Sequence, residues 1–208
     1  MSFNNLNNEG VSAVCEAIQS NKETKLASLN LRRTNFGPVG AKSVAATMAV
    51  TGSLTSLNVH SNYIVGDGAA QLSAAVLGNL KIEMFNRIPI KEMRANSITE
   101  LNLFAIGVEG GMVVAGLLPV MGSLTSIDLS ENALTYYGND MTGIKQLAAA
   151  LGVNGSLTTL DLSSNYLMNE GVSAVCKAIQ SNKETKLASL NFQNNEIGPV
   201  GADRKSVV

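Results

Sequence analysis

The chain has 208 residues and a formal net charge of −1, with 15 Lys and Arg side chains against 16 Asp and Glu. This balance gives no broad positive field that would attract nucleic acid or an anionic membrane surface. Aromatic residues make up 4% of the chain and tryptophan is absent, so the composition predicts no strong aromatic hot spot for binding.

The amino terminus and the cysteines indicate a cytoplasmic protein. The opening segment MSFNNLNNEG lacks the basic-then-apolar build of a signal peptide. The longest apolar run, around Met112–Met121, is too short to span a membrane. Cys15 and Cys176 occupy equivalent places in two apolar helical patterns, so we expect them to be core thiols in a reducing compartment. These features predict neither a nucleic-acid nor a membrane partner.

One short pattern recurs six times along the chain. It reads L-x-x-L-x-L-x-x-N, with Ile or Phe sometimes in place of a Leu. In chain order the copies are KLASLNLRRTN (25–35), GSLTSLNVHSN (52–62), SITELNLFAI (97–106), GSLTSIDLSEN (122–132), GSLTTLDLSSN (155–165) and KLASLNFQNN (186–195).

Each copy predicts a short strand that is buried on one face. Leu160 and Leu162 are two residues apart, so in an extended chain they point to the same side. Thr159, Asp161 and Ser163 alternate with them and point to the opposite side. We therefore expect one face of the sheet to be buried and the other to be solvated.

The asparagine that ends the pattern is expected to stabilise the turn after the strand. An amide side chain both donates and accepts hydrogen bonds, so a buried asparagine can satisfy backbone groups that the turn leaves unpaired. Thr34 and Ile106 replace it in two copies, where we expect this asparagine ladder to be interrupted. Its predicted members are Asn62, Asn132, Asn165 and Asn195.

Helical patterns separate the strands. In Gly171–Gln180, the apolar residues Val172, Val175, Cys176 and Ile179 follow spacings of three and four, as on one face of a helix. The same periodicity runs through Val39–Met48, Ala69–Leu77, Met112–Leu118 and Ile144–Leu151.

The repeated pattern with helices between its copies resembles the leucine-rich repeat family, and the helices resemble its ribonuclease-inhibitor-like branch. This resemblance covers essentially the whole chain and implies an α/β, right-handed, curved solenoid. Strands pair about 4.8 Å apart whereas helices need about 10 Å. We therefore expect parallel strands on the concave face and helices on the convex face, in a single domain (1–208) of about six to seven repeats.

Two intervals between copies are longer than the others. The first contains LKIEMFNRIPIKEMRAN (80–96), which predicts an irregular, shortened repeat at about 80–97. The second lengthens the loop at Thr135–Gly143, which carries Tyr136 and Tyr137. Long loops on a rigid scaffold often carry recognition. The two tyrosines either form such a surface or pack on the neighbouring turn.

Residues 4–41 and 165–202 are near duplicates, with 29 of 38 positions identical at an offset of 161. We interpret this as duplication of a block of several repeats. The chain opens inside a repeat and closes with ADRKSVV (202–208), where the next helix is expected. The repeats at both ends are thus predicted to be incomplete, which is consistent with a fragment of a longer array or with ends covered by another chain.

The solvated strand face provides the candidate binding residues. Each copy places three side chains on this face, and the second of the three is Asn or Asp in all six copies. These polar side chains either hydrogen-bond a partner or keep an exposed sheet solvated. Phe104 is the best single anchor candidate. Together with the loop tyrosines, the partner-binding candidates are Arg32, His60, Phe104, Asp128, Tyr136, Tyr137 and Asp161.

We find no pattern that predicts catalysis, a metal site or a cofactor. His60 is the only histidine, and an open sheet offers no shielded pocket for a triad. One histidine and two distant thiols do not make a zinc site.

The family resemblance implies a non-catalytic protein-interaction module that binds a protein partner through the concave sheet or the rim loops. A second hypothesis is a structural or self-assembling segment of a longer array, with end-to-end self-association. A third is a regulator of a GTPase or nuclease, because leucine-rich repeat proteins include GTPase-activating proteins and ribonuclease inhibitors.

Overall fold

The computed structural model describes residues 4–198. The chain divides into two compact units, and the boundary falls after Lys91. The predicted tail segment 202–208 lies outside the described residues. The single continuous solenoid, with its curvature and handedness, therefore stays a prediction, and the two units are described separately.

The first unit alternates helices with short parallel strands. Leu29 on β1 and Phe85 on β3 flank Leu57 on β2, and all three are buried. This row is the apolar face that the alternation predicts. In chain order the elements are α1 (Asn7–Ser20), β1 (Ser28–Asn30), α2 (Pro38–Val50), β2 (Ser56–Asn58), α3 (Gly66–Gly78) and β3 (Met84–Phe85), with the strands in the order β1-β2-β3.

The second unit repeats the arrangement with four parallel strands in the order β4-β5-β6-β7. The short helix α4 (Ile90–Arg94) crosses the boundary between the units. The remaining elements are β4 (Glu100–Asn102), α5 (Gly107–Leu117), a 3-10 turn (Leu118–Val120), β5 (Ser126–Asp128), α6 (Thr142–Leu151), β6 (Thr159–Asp161), α7 (Met168–Ser181) and β7 (Ser189–Asn191).

These elements confirm the predicted alternation of helices and strands. The register aligns equivalent residues of successive copies, as in Ile127↔Leu160, and both of these side chains are buried. Val172 and Val175 of α7, which belong to the predicted helical stripe, are also fully buried. No repeat buries its own apolar stripe, so stability depends on contacts between neighbours.

The asparagines at the turns connect each repeat to the one before it. Asn165 is completely buried, and its Oδ1 accepts hydrogen bonds from the N–H groups of Asn132 (3.1 Å) and Leu134 (3.2 Å). Its Nδ2 donates to the carbonyls of Leu129 (2.7 Å) and Leu162 (3.2 Å). One side chain thus satisfies backbone groups of two successive turns.

The same pattern continues on both sides of Asn165. Asn195 accepts from the N–H of Asn165 (3.0 Å) and donates to the carbonyl of Leu162 (2.8 Å). Asn132 accepts from the N–H of Ile106 (3.0 Å) and donates to the carbonyl of Leu103 (2.7 Å). In the second unit the ladder therefore runs from Asn195 to the turn at Ile106.

In the first unit, Asn62 makes the equivalent contacts with the turn at Thr34. Its Oδ1 accepts from the N–H of Thr34 (3.0 Å), and its Nδ2 donates to the carbonyl of Leu31 (2.8 Å). Thr34 occupies the ladder position of its own repeat, and its hydroxyl donates to the Leu31 carbonyl at 2.8 Å. A threonine thus replaces part of the asparagine's function.

The two copies of the duplicated block make matching contacts. Asn8 Oδ1 accepts from the N–H of Gly37 at 2.9 Å, and Asn169 Oδ1 accepts from the N–H of Gly198 at 3.0 Å. The duplicated cysteines are also equivalent, since Cys15 on α1 and Cys176 on α7 are both buried free thiols. The asparagine–glycine bond and the buried cysteine are therefore common to both copies.

The segment at about 80–97 contains β3 and the five-residue helix α4. Phe85 N–H donates to the carbonyl of Ile88 at 3.1 Å, so the chain turns back on itself immediately after β3. Among residues 4–198, no helix has the length and apolar character needed to cross a bilayer.

We predict that Asn165→Ala destabilises the second unit by about 3 kcal/mol or more, because it leaves several buried backbone groups unpaired. Urea unfolding followed by circular dichroism measures this loss. Gln193→Ala is the matched control, because Gln193 is an exposed polar side chain close to the ladder and its replacement should change stability by less than about 0.5 kcal/mol. Equal stabilities of the two variants would contradict the ladder's role.

Candidate functional site

The last residues of β4–β7 form a row of hydrogen-bonded polar side chains, which we call the Asn–Asp row (Asn102, Asp128, Asp161 and Asn191). Asn102 Nδ2 donates to Asp128 Oδ2 at 3.1 Å, and Asn191 Nδ2 donates to Asp161 Oδ2 at 2.8 Å. Asp128 and Asp161 lie opposite each other on paired strands. Like charges so placed repel, and each carboxylate is compensated by the amide on its other side.

The second oxygen of each carboxylate is held by its own turn. Asp128 Oδ1 accepts from the N–H of Ser130 at 2.9 Å. Asp161 Oδ1 accepts from the N–H of Ser163 at 2.8 Å and from its hydroxyl at 2.6 Å. Partial burial would raise the pKa of Asp161, but these bonds and the one from Asn191 outweigh it and lower the pKa below its ordinary value. The row thus presents fixed negative charge on a half-exposed surface.

Phe104 lies two residues after the end of β4 and is 47% exposed. An exposed phenylalanine beside a polar row offers apolar area to a partner. The side chain lies where the sequence predicts a binding anchor.

His60 corrects one expectation from the sequence. The alternation of β2 predicts an outward-facing side chain, but His60 is 2% exposed. β2 ends at Asn58, so the alternation no longer applies two residues later. His60 Nδ1 lies 2.7 Å from Ser61 Oγ, and the His60 carbonyl accepts from the N–H of Arg33 at 3.2 Å. A partner surface cannot use this ring without opening the turn.

Burial is the largest of the causes that lower the pKa of His60 to about 4, and the positive charges of Arg32, Arg87 and Arg33 contribute to the same shift. The ring is therefore neutral at pH 7. Arg32 is half-buried, whereas Arg33 and Arg87 are exposed. The surface around the ring is basic, and the histidine has neither the charge nor the exposure of a binding residue.

The lengthened loop brings a group of aromatic rings together. Tyr137 is 58% exposed and makes T-shaped contacts with Tyr136, at a centroid distance of 5.6 Å, and with Tyr166 of the next turn, at 5.0 Å. Tyr136 is half-buried. The loop tyrosines thus pack against the neighbouring turn and still leave one ring largely accessible.

Thr135 holds this loop against the next repeat. Its buried hydroxyl lies 3.0 Å from the carbonyl of Asn165 and 2.8 Å from that of Tyr166, and it accepts from the N–H of Gly138 at 3.0 Å. Gly138 has φ +83°, and a Cβ there would lie 2.6 Å from Met168 Cε. The position of the tyrosines is therefore fixed by buried contacts.

A depression of about 360 Å³ lies on the turns after β5, β6 and β7. We call it the tyrosine pocket. Two tyrosines and two glutamates give it aromatic area and negative charge. Its lining residues are Glu131, Ala133, Tyr137, Ser164, Tyr166, Asn194 and Glu196.

The strand-and-turn surfaces of the two units have opposite charge. In the second unit, the segments 100–106, 126–137, 159–166 and 189–196 contain Glu100, Asp128, Glu131, Asp161 and Glu196 and no Lys or Arg. In the first unit, the corresponding segments 28–35, 56–63 and 84–90 contain Arg32, Arg33 and Arg87 and no Asp or Glu.

A second depression, of about 490 Å³, lies where α2 and α3 end. It includes Met48, Gly52 and Leu80, and Lys81 Nζ donates to the carbonyl of Gly52 at 2.7 Å. Its one charged residue is already bonded to the backbone, so it offers less chemistry than the tyrosine pocket. Within residues 4–198, no three His, Cys, Asp or Glu side chains come together to hold a metal ion.

Comparison with known families identifies the repeats. The sequence model of the Leucine Rich repeat matches residues 1–15, 22–45, 153–176 and 183–203. These four segments contain leucine-rich repeats. With the alternating helices and parallel strands, the matches confirm the predicted α/β repeat-solenoid class. A search among curated proteins found no match.

Sequence reasoning missed six of the seven residues that line the tyrosine pocket, namely Glu131, Ala133, Ser164, Tyr166, Asn194 and Glu196. Each lies immediately before or after a ladder asparagine. Their position next to a ladder asparagine was the signal available in the sequence, because the residues on either side of a buried turn asparagine face solvent. The residues that fill the pocket come from three repeats, and their convergence requires the register of the strands.

We predict that folding stability falls by up to about 3 kcal/mol as the pH decreases from 7 to about 4, because His60 binds a proton in the unfolded chain but not in the folded one. The folded pKa lies below the unfolded value, so the loss begins near the unfolded pKa of 6.5 and is complete near the folded value.

Urea unfolding at several pH values tests this. Since His60 is the only histidine, His60→Gln should remove the slope between about pH 7 and 5, where carboxylates titrate little. An unchanged slope in the variant would contradict the assignment.

Proposed function

We propose that this chain is a non-catalytic protein-interaction module that binds a protein partner through the strand-and-turn surface of its second unit. Leucine-rich repeats generally mediate contacts between proteins, and that general role supports the proposal. The observation that carries it is a surface on which Phe104 and Tyr137 are exposed among fixed carboxylates.

The chemistry of this surface fits recognition better than catalysis. The carboxylates of the Asn–Asp row accept hydrogen bonds from fixed neighbours on both oxygens, which holds them as acceptors. Catalysis needs a nucleophile or a general base in a water-excluded site with an orienting partner. A partner with basic side chains around an apolar centre would complement this surface in both charge and hydrophobicity.

Two finer features belong to the same proposal. The helices of 10 to 14 residues that separate the strands in α1–α3 and α5–α7 favour the ribonuclease-inhibitor-like branch of the family. The two buried free thiols suit a reducing, cytoplasmic compartment.

The test is affinity capture with the full chain as bait. We expect Phe104→Ala to reduce recovery of the partner at least about fivefold, because an exposed aromatic anchor at an interface typically contributes 1–2 kcal/mol or more. Leu80→Ala is the matched control, because Leu80 is 84% exposed and lies on the first unit. Equal recovery with both variants would reject this surface as the interface.

A second candidate is self-association, because the two units carry opposite charges on equivalent surfaces. If copies of the chain bind one another through these surfaces, the apparent mass should rise with concentration at low salt and fall again as salt screens the charges. Light scattering across a concentration series measures this, and Arg33→Gln should weaken it. A constant monomer mass at all concentrations would reject self-association.

A further inference from the structure

We propose that the tyrosine pocket binds a cationic side chain, lysine or arginine, of the protein partner. This inference deepens the proposed function and depends on it for the identity of the partner as a protein. The pocket's own chemistry is testable separately.

The aromatic rings are arranged to receive a cation. Tyr137 lies between Tyr136 and Tyr166, with interplanar angles of 65° and 62°. Tyr137 and Tyr166 line the depression, and because these two rings are steeply inclined their faces point in different directions within it. An ammonium or guanidinium group within about 6 Å of a ring face is attracted by the ring's quadrupole.

The charge of the pocket selects a cation over a neutral group. Glu131 and Glu196 line it from the first and third of its three turns. Neither makes an ion pair among those found in residues 4–198, which are Lys42–Asp67, Lys91–Glu83 and Lys145–Glu170. Two carboxylates and two tyrosines leave the depression with negative charge that a cationic side chain would neutralise.

The size and the polar wall suit one side chain. About 360 Å³ is at the small end of the range for ligand pockets. Ser164 and Asn194 provide hydrogen-bonding groups on the wall, and Ala133 provides apolar surface for an aliphatic stem. A lysine or arginine has both a stem and a charged head, and so matches the two kinds of lining.

Buried hydrogen bonds connect the three turns that form the pocket. Thr135 bonds the tyrosine loop to the turn that carries Tyr166. Asn165 and Asn195 fix the second and third turns from within. A cation would therefore meet preorganised groups, which reduces the entropy lost on binding.

The first unit contains a related turn that lacks these features. Tyr63 follows Asn62 as Tyr166 follows Asn165, and it is 54% exposed. The turn before Tyr63 carries Arg33 and Asn35, where the tyrosine pocket has Glu131 and Ala133. Tyr63 is therefore a control for Tyr166 within the same chain, because it is an exposed tyrosine at an equivalent turn position where the preceding turn carries a positive charge.

The duplicated block supports the same distinction. Of the nine differences between residues 4–41 and 165–202, six are consecutive, at 31–36 against 192–197. Within them, Arg33 corresponds to Asn194 and Asn35 corresponds to Glu196. Leu31, Thr34 and Phe36 are buried, so three of these six differences lie in the interior. The other three are at the surface and make this turn basic in the first copy and acidic in the second.

The experiment titrates the intact chain with acetyl-Gly-Lys-Gly-amide, with its arginine homologue and with the norleucine homologue, which has the stem without the charge. Tyrosine ring signals in NMR report binding directly, because the chain has four tyrosines and three of them belong to this cluster. We expect saturable shifts in the millimolar range with lysine and arginine and none with norleucine. Binding should weaken as salt is added.

Variants identify the groups responsible. Tyr166→Leu should raise the dissociation constant at least about fivefold, whereas Tyr166→Phe, which keeps the ring, should leave it within about twofold. Glu131→Gln with Glu196→Gln should raise it about tenfold at low salt. Tyr63→Leu, the matched control, should leave it unchanged.

The outcomes separate this inference from the proposed function. Norleucine binding equal to that of lysine, or equal effects of Tyr63→Leu and Tyr166→Leu, would overturn the cation site. If partner capture is lost with Phe104→Ala but not with Tyr166→Leu, the interaction surface stands and the cation site is rejected as part of it. Loss of capture with both variants, together with lysine-specific shifts, supports both.

Discussion

The structure depends on the hydrogen bonds that one buried asparagine side chain makes to two successive turns. A strand of three residues forms few ladder bonds, so the turn that follows it would leave backbone groups buried and unpaired. Asn165 satisfies such groups in its own turn and in the turn before it. Each repeat is therefore stabilised by its neighbour in two ways, through the shared apolar core and through the hydrogen bonds of the asparagine ladder.

The ladder also determines which side chains are available for function. The residues on either side of each ladder asparagine in the second unit have positive φ, between +49° and +56°, at Glu131, Ala133, Ser164, Tyr166, Asn194 and Glu196. Left-handed backbone costs about 1–2 kcal/mol for each non-glycine residue, and the buried amide bonds offset that cost. These six residues, with Tyr137, line the tyrosine pocket. The turn geometry that stabilises the repeat also generates its candidate binding surface.

Much of this architecture was accessible from the sequence, because the repeat period and the apolar spacing are local. The leucine spacing predicted the strands, and the stripes predicted α2, α3, α5, α6 and α7. The burial of residues beyond the strand ends could not be predicted from the sequence. His60 was wrongly expected to face solvent, because the alternation stops at Asn58. The tyrosine pocket was missed for a different reason: Tyr137 and Tyr166 lie 29 positions apart, and only the strand register brings them into contact.

The duplicated block explains how one scaffold can carry two surfaces. Part of the interior is the same in both copies, and Asn8 and Asn169 make the same bond to a glycine. The turn residues face solvent, so Arg33 and its counterpart Asn194 were free to differ without loss of packing. A change at such a position alters the charge presented to a partner and leaves the core unchanged. The repeat thereby separates the residues that stabilise it from the residues that set its surface charge.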